Sequence, residues 1–144
     1  MKIQSLGHVV IRVSNQAQSE AFYNGILGLP IVARMEDRAM TFFSLGNHHD
    51  FAIAALGDDA PAADKSAVGL AHVAFKIGDD LETLKAAQAH LNAAGVQTRA
   101  VDHGVSQSLY FADPDGNGVE VYIDASDIWK REPQAVANSQ AMVL

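Results

Sequence analysis

Three side chains, His8, His72 and Glu120, have the types and the placement to hold a divalent metal ion. The two histidines occupy the same place in two spellings of one strand, residues 6–13 (LGHVVIRV) and 70–77 (LAHVAFKI), 64 positions apart from 8 to 72. In each spelling one face is wholly apolar (Val9, Ile11, Val13; Val73, Phe75, Ile77), while the other begins with His and ends with Arg12 or Lys76. Glu120 belongs to a further strand, residues 119–123, where alternation sets Glu120, Tyr122 and Asp124 against Val119, Val121 and Ile123. A carboxylate on the more enclosed side of a sheet needs a partner, and a metal ion is one. Two neutral imidazoles and one carboxylate suit Fe(II), Mn(II), Ni(II) or Zn(II), and they leave coordination positions open for chemistry. A single strand histidine is more often a hydrogen-bonded core or surface residue; the repetition lifts His8 and His72 above that reading.

Composition narrows the chemistry. The 144 residues include no cysteine, which removes disulfides, thiolate ligands and Cys nucleophiles, so any metal must be held by His and carboxylate. A net charge of −7 argues against nucleic acid or an anionic membrane as partner. The first residues, Met1-Lys2-Ile3-Gln4-Ser5, show no signal-peptide pattern, and no apolar run is long enough to span a bilayer, so a soluble, cytoplasmic protein is expected. With 49% of its residues apolar, the chain is rich enough to bury one core.

The elements that must position these groups also come twice. After the first strand, Ser14-Asn15 reads as a helix cap with the helix running to Asn24 and ending near Gly25; after the second, Gly78-Asp79-Asp80 precedes a helix carrying Leu81, Leu84, Gln88 and Leu91, which stops at Gly95. Short extended runs follow: 31–34, 40–45 and 49–55 in the first half, then 97–101, 108–111 and 119–123 in the second. The sequence predicts an α+β fold of two βαβββ modules, about residues 3–56 and 67–125, joined by a linker over about 57–66 and followed by a tail over 126–144. The modules are expected to curl their free sheet faces into a mixed-sheet cup with the helices outside. The tail, anchored by Trp129, is expected to be mobile or to pack on a partner subunit.

The other candidates sit in turns. His49, between His48 and Asp50, opens the run 49–55, where parity groups it with Phe51 and Ile53; His48 reads as part of a polar turn after Gly46-Asn47. His103 stands in a turn ahead of the hairpin over 109–122, whose Asp113-Pro114-Asp115-Gly116 and Asn117-Gly118 supply a fixed φ and tolerance of positive φ. His90 reads as a surface residue. Tyr110 shares parity with Ser108 and Ala112, and taken alone such a tyrosine is more often core than catalyst.

On these residues the chain resembles the vicinal oxygen chelate superfamily, which includes glyoxalase I, fosfomycin and bleomycin resistance proteins, methylmalonyl-CoA epimerase and extradiol ring-cleaving dioxygenases. The fold markers are Phe22-Tyr23-Asn24-Gly25-Ile26-Leu27-Gly28-Leu29 and Asp113-Pro114-Asp115-Gly116, and the likeness extends over about residues 6–124. The chain is most similar to the extradiol dioxygenases: Val101, His103, a gap of five residues over 104–108, Leu109-Tyr110, Asp113-Pro114, Gly116 and Glu120 follow their signature throughout. The resemblance implies His8, His72 and Glu120 as metal ligands, with Fe(II) the expected ion and Mn(II), Ni(II) and Zn(II) as alternatives. It implies substrate-side roles for His103 and Tyr110, and an acid–base role for His49 beside the dioxygen site. The implied reaction is ring cleavage of a small aromatic diol by dioxygen, and a homodimer is the expected assembly. Alternatives within the same fold are a glyoxalase-, isomerase- or fosfomycin-resistance-type metalloenzyme, or a non-catalytic, bleomycin-resistance-like binding protein. A histidine at 49, where the isomerases bring a first-half carboxylate, favours the dioxygenase, and retention of all three ligands counts against a binding protein.

Overall fold

The computed structural model describes residues 1–64 and 66–144; Lys65, within the expected linker, lies outside the described residues. Strand β1 (Val9–Val13) leads through Asn15, whose side chain accepts the Gln18 N–H, into α1 (Gln16–Glu20). The helix then widens into a π-helical turn, Ala21–Ile26, rather than staying α-helical to Asn24; in it the adjacent aromatics Phe22 and Tyr23 are both buried. Strands β2 (Ile31–Met35), β3 (Met40–Phe43) and β4 (Phe51–Ala55) complete the first module. The second repeats the order: β5 (Val73–Gly78), α2 (Leu81–Ala93), β6 (Arg99–Asp102), β7 (Ser106–Ala112) and β8 (Gly118–Asp124). The fold is α+β with two mixed sheets, ordered β1-β4-β3-β2 and β5-β8-β7-β6, and a short β9 (Gln140–Ala141) extends the second beyond β6. In each sheet the module's first and last strands pair in parallel and the rest antiparallel.

The chain divides into two compact units, Met1–Asp64 with Pro114–Gly116, and Lys65–Asp113 with Asn117–Leu144. In the first, Tyr23 packs its ring on Phe51 at 4.7 Å and Phe43 at 6.2 Å, so β3 and β4 present these side chains to the helical layer. The hairpin turn belongs here as well: Asp115 accepts the Ser14 N–H at 2.9 Å through its carboxylate and the Ala63 N–H at 2.9 Å through its carbonyl. In the second unit, Asp80 caps α2 by accepting from the Thr83 N–H and hydroxyl, and Gly95 ends it at φ +78°, a conformation open to glycine without strain. Leu84 and Leu91 of α2 are buried, as are Leu109, Val119, Val121 and Ile123 of β7 and β8, against which the helix lies. Each such side chain contributes about 1.5–3 kcal/mol by leaving water.

The tail does not hang free: β9 pairs antiparallel with β6, Val101 with Ala141 and Asp102 with Gln140. An outer strand exposes unpaired N–H and C=O groups, and the tail satisfies part of that edge. No helix among the described residues is long and apolar enough to cross a membrane.

One ion pair in the first unit is testable on its own. Glu20 accepts from Arg34 Nε at 2.8 Å and Nη2 at 2.9 Å, and from the buried Thr41 hydroxyl at 2.5 Å. The Arg34 hydrogen bonds, aided by Thr41 and opposed by burial, hold the Glu20 carboxyl below its ordinary range. A carboxyl lowered by folding stabilises the protein above its unfolded pKa, and that contribution is lost as pH falls through the folded value. Glu20→Gln is expected to cost about 1 kcal/mol at neutral pH by urea titration, with the gap to the parent closing in acid.

Candidate functional site

Glu120 lies in a row that crosses the second sheet. The strand registers align Arg99 of β6, Tyr110 of β7, Glu120 of β8 and Ala74 of β5. Glu120 is 6% exposed, and its Oε2 lies 3.0 Å from Nε2 of His72. His72 is the residue just before β5, so it reaches the carboxylate from the strand's lead-in; its ring meets Tyr110 edge-on at 5.3 Å. This approach requires Gly118, because a β carbon there would stand 2.3 Å from the Ala71 carbonyl oxygen and 3.1 Å from the His72 Cβ. Gly118→Ala must push the lead-in away. The expected result is a stability loss of about 1–3 kcal/mol from overpacking and roughly tenfold weaker metal binding, read by thermal melts and calorimetric titration with Zn(II).

A buried carboxylate facing an imidazole nitrogen fits a divalent cation, which takes the place of the proton that the pair otherwise shares. Among the described residues no group of three His, Asp or Glu side chains is assembled to hold a metal ion. Lys76, on the face that begins with His72, is engaged by Asp79 at 2.5 Å and Asp124 at 2.7 Å.

Tyr110 joins Glu120 to a second imidazole. Its hydroxyl lies 3.0 Å from His103 Nε2 and is hydrogen-bonded to Glu120. Burial, then the charge and hydrogen bond of Glu120, push its pKa up to about 12, against the pull of the Arg99 guanidinium 4.9 Å from the ring centre. The phenol is therefore a proton-bearing donor at neutral pH. Nδ1 of His103 lies 2.8 Å from the carbonyl oxygen of Asn138.

The first unit gathers a different set. His8 stands just before β1, its ring centre 4.2 Å from that of His49, and Nδ1 of His48 is 2.8 Å from Nδ1 of His49. Burial first, then the neighbouring His8 and His48, lower the His49 pKa. His49 is not on β4, as the parity reading expected: the strand begins at Phe51, which packs on Tyr23, whereas His49 lies against Phe42 with ring centres 5.3 Å apart. Alternation breaks at Asp50, whose carboxylate accepts the Leu45 N–H at 2.6 Å and so closes the turn between β3 and β4. His48, which the sequence places in a polar turn, touches His49; the signal for it in the sequence is its adjacency to that candidate histidine.

The registers reveal one more position. Val10 pairs with Ala52 as Ala74 pairs with Glu120, and positions 10 and 74 are equivalent in the repeat. Ala52, fully buried, is thus the first unit's counterpart of Glu120.

A family model described as the Glyoxalase/Bleomycin resistance protein/Dioxygenase superfamily matches residues 5–121. Biphenyl-2,3-diol 1,2-dioxygenase 3 of Rhodococcus globerulus is 36% identical over 125 residues, 83% of this chain and 63% of that protein, so the chain spans less than two thirds of its relative's length. Metallothiol transferase FosB of Lysinibacillus sphaericus (strain C3-41) is 26% identical, over 92% of this chain and 94% of that protein. A solved structure, the glyoxalase family protein from Enterococcus faecalis, superposes with a TM-score of 0.66 at 28% identity, covering 85% of this chain and 99% of that one.

Proposed function

This chain belongs to the glyoxalase/bleomycin resistance protein/dioxygenase superfamily, and from that premise we propose that it is an Fe(II)-dependent extradiol dioxygenase opening the ring of a small aromatic diol with dioxygen. The observation that supports this most is the buried Glu120 with His72 on one side and, through the Tyr110 phenol, His103 on the other. An Fe(II) ion held by His72 and Glu120 would keep about one net positive charge and open positions for a diol monoanion and dioxygen, and the sequence repeat offers His8 as the further ligand.

The chain's own groups then divide the work. With Glu120 engaged by the ion, Tyr110 keeps its proton and turns its single hydroxyl hydrogen bond to a diol oxygen, holding that edge of the ring. His103 Nε2, in contact with the phenol, takes up the proton that the diol loses on binding. His49, packed against His8 and His48, is the acid–base group on the oxygen side. The working assembly is a homodimer, as light scattering will test.

The first unit places Ala52 where the second has Glu120, and Asp50 is engaged by its own turn. One carboxylate rather than two favours the dioxygenase over an isomerase. The likeness to FosB over 94% of that protein supports a second reading, a metal-dependent thiol transfer. Anaerobic loading with Fe(II), addition of 2,3-dihydroxybiphenyl or catechol, and admission of air decide between them. Yellow ring-fission product with matching oxygen uptake is expected. No product across a panel of catechols, together with thiol addition to fosfomycin, would establish the second reading instead.

A further inference from the structure

We propose that the C-terminal segment fixes the tautomer of His103, with the backbone carbonyl of Asn138 as the positioning group. The antiparallel register of β6 and β9, Val101 with Ala141 and Asp102 with Gln140, continued by two residues sets Asn138 opposite Gly104, and the Asn138 Nδ2 lies 3.7 Å from where a Gly104 β carbon would stand. Asn138 ends the 3₁₀ turn Pro133–Ala137 and is extended, at φ −73° and ψ 146°, so its carbonyl leaves the turn and reaches His103 Nδ1 at 2.8 Å. The backbone of His103 is held as well, its N–H donating to the Ser106 carbonyl at 2.9 Å.

A carbonyl oxygen only accepts, so Nδ1 must carry the hydrogen. In the neutral ring Nε2 is then bare and faces the Tyr110 hydroxyl at 3.0 Å, where its lone pair shares the single phenol hydrogen with the Glu120 carboxylate. The opposite tautomer sets two lone pairs against each other at Nδ1. A tail outside the duplicated βαβββ pattern thereby determines that the nitrogen facing the phenol, Nε2, is the bare one, and so what it offers the substrate beyond. That last clause rests on the proposed function, but the tautomer itself does not.

The test is a multiple-bond proton–nitrogen correlation spectrum of the full, metal-free, nitrogen-15-labelled chain, with His103 assigned by its loss in His103→Gln. Nδ1 is expected to be the protonated nitrogen and Nε2 the bare one, and Tyr110→Phe should leave this unchanged because the carbonyl remains. Deletion of residues 138–144, which removes the accepting carbonyl itself, should shift the population to Nε2–H and lower kcat for ring cleavage roughly tenfold with a smaller change in KM. An Nε2–H ring in the full chain, a switch in Tyr110→Phe, or retention of Nδ1–H after the deletion would overturn the assignment. Should the deletion unfold the chain, the parent and Tyr110→Phe spectra decide. A chain that shows Nδ1–H and cleaves no diol would refute the proposed reaction while upholding the tautomer.

Discussion

Glu120→Gln is expected to abolish the proposed metal binding and, with it, the proposed turnover. Glutamine keeps the volume of a side chain that is 6% exposed, so no cavity opens, but it removes the negative charge that offsets half of a divalent ion. Loss of a hydrogen-bonding partner one shell further out already costs about 10–100-fold in metal affinity; loss of the charged ligand itself should exceed a hundredfold. Metal analysis and calorimetric titration read this directly. Thermal melting separates it from misfolding: the amide keeps an acceptor for the Tyr110 hydroxyl, so the metal-free variant should still melt cooperatively, somewhat below the metal-free parent because the contact with His72 is weakened. Undiminished metal content in Glu120→Gln would sink the ligand assignment.

Tyr110→Phe should leave the metal in place and lower kcat by about 10²–10³-fold, the range for loss of a positioned proton donor. The phenol, with its pKa pushed up to about 12, keeps its proton in neutral solution between Glu120 and His103. Phenylalanine retains the ring that His72 meets edge-on and Arg99 covers, so packing survives and only the hydroxyl is lost. Steady-state kinetics on the iron-loaded variant, beside its metal content, checks both halves. Parental kcat would reduce Tyr110 to packing.

What could be read without coordinates was whatever leaves a local or repeated mark. The paired strands around His8 and His72, the Asp80 cap and the Gly95 stop are written within a few residues of where they act, and the element order β-α-β-β-β appears twice in the fold as in the sequence. The proximity of His72 to Glu120 was inferable from parity, although both histidines stand just outside their strands. What escaped depends on partners far along the chain. Alternation carried His49 onto the wrong face because Asp50 turns toward Leu45, a backbone demand that residue types do not display. Ala52 emerges as the counterpart of Glu120 only from strand register. The two residues of β9 are too few for any periodicity, and their pairing follows from the open edge of β6.

Ala52 carries a consequence of its own. Duplication hands a chain two copies of every position, and here one copy holds an acid while the other holds a methyl group packed at 0% exposure. An acidic residue installed at 52 would sit in a dry interior and be tolerated only with a cation to neutralise it. The two halves are thus alike in backbone and unlike in charge: at this one register position the second supplies an acid and the first a methyl group.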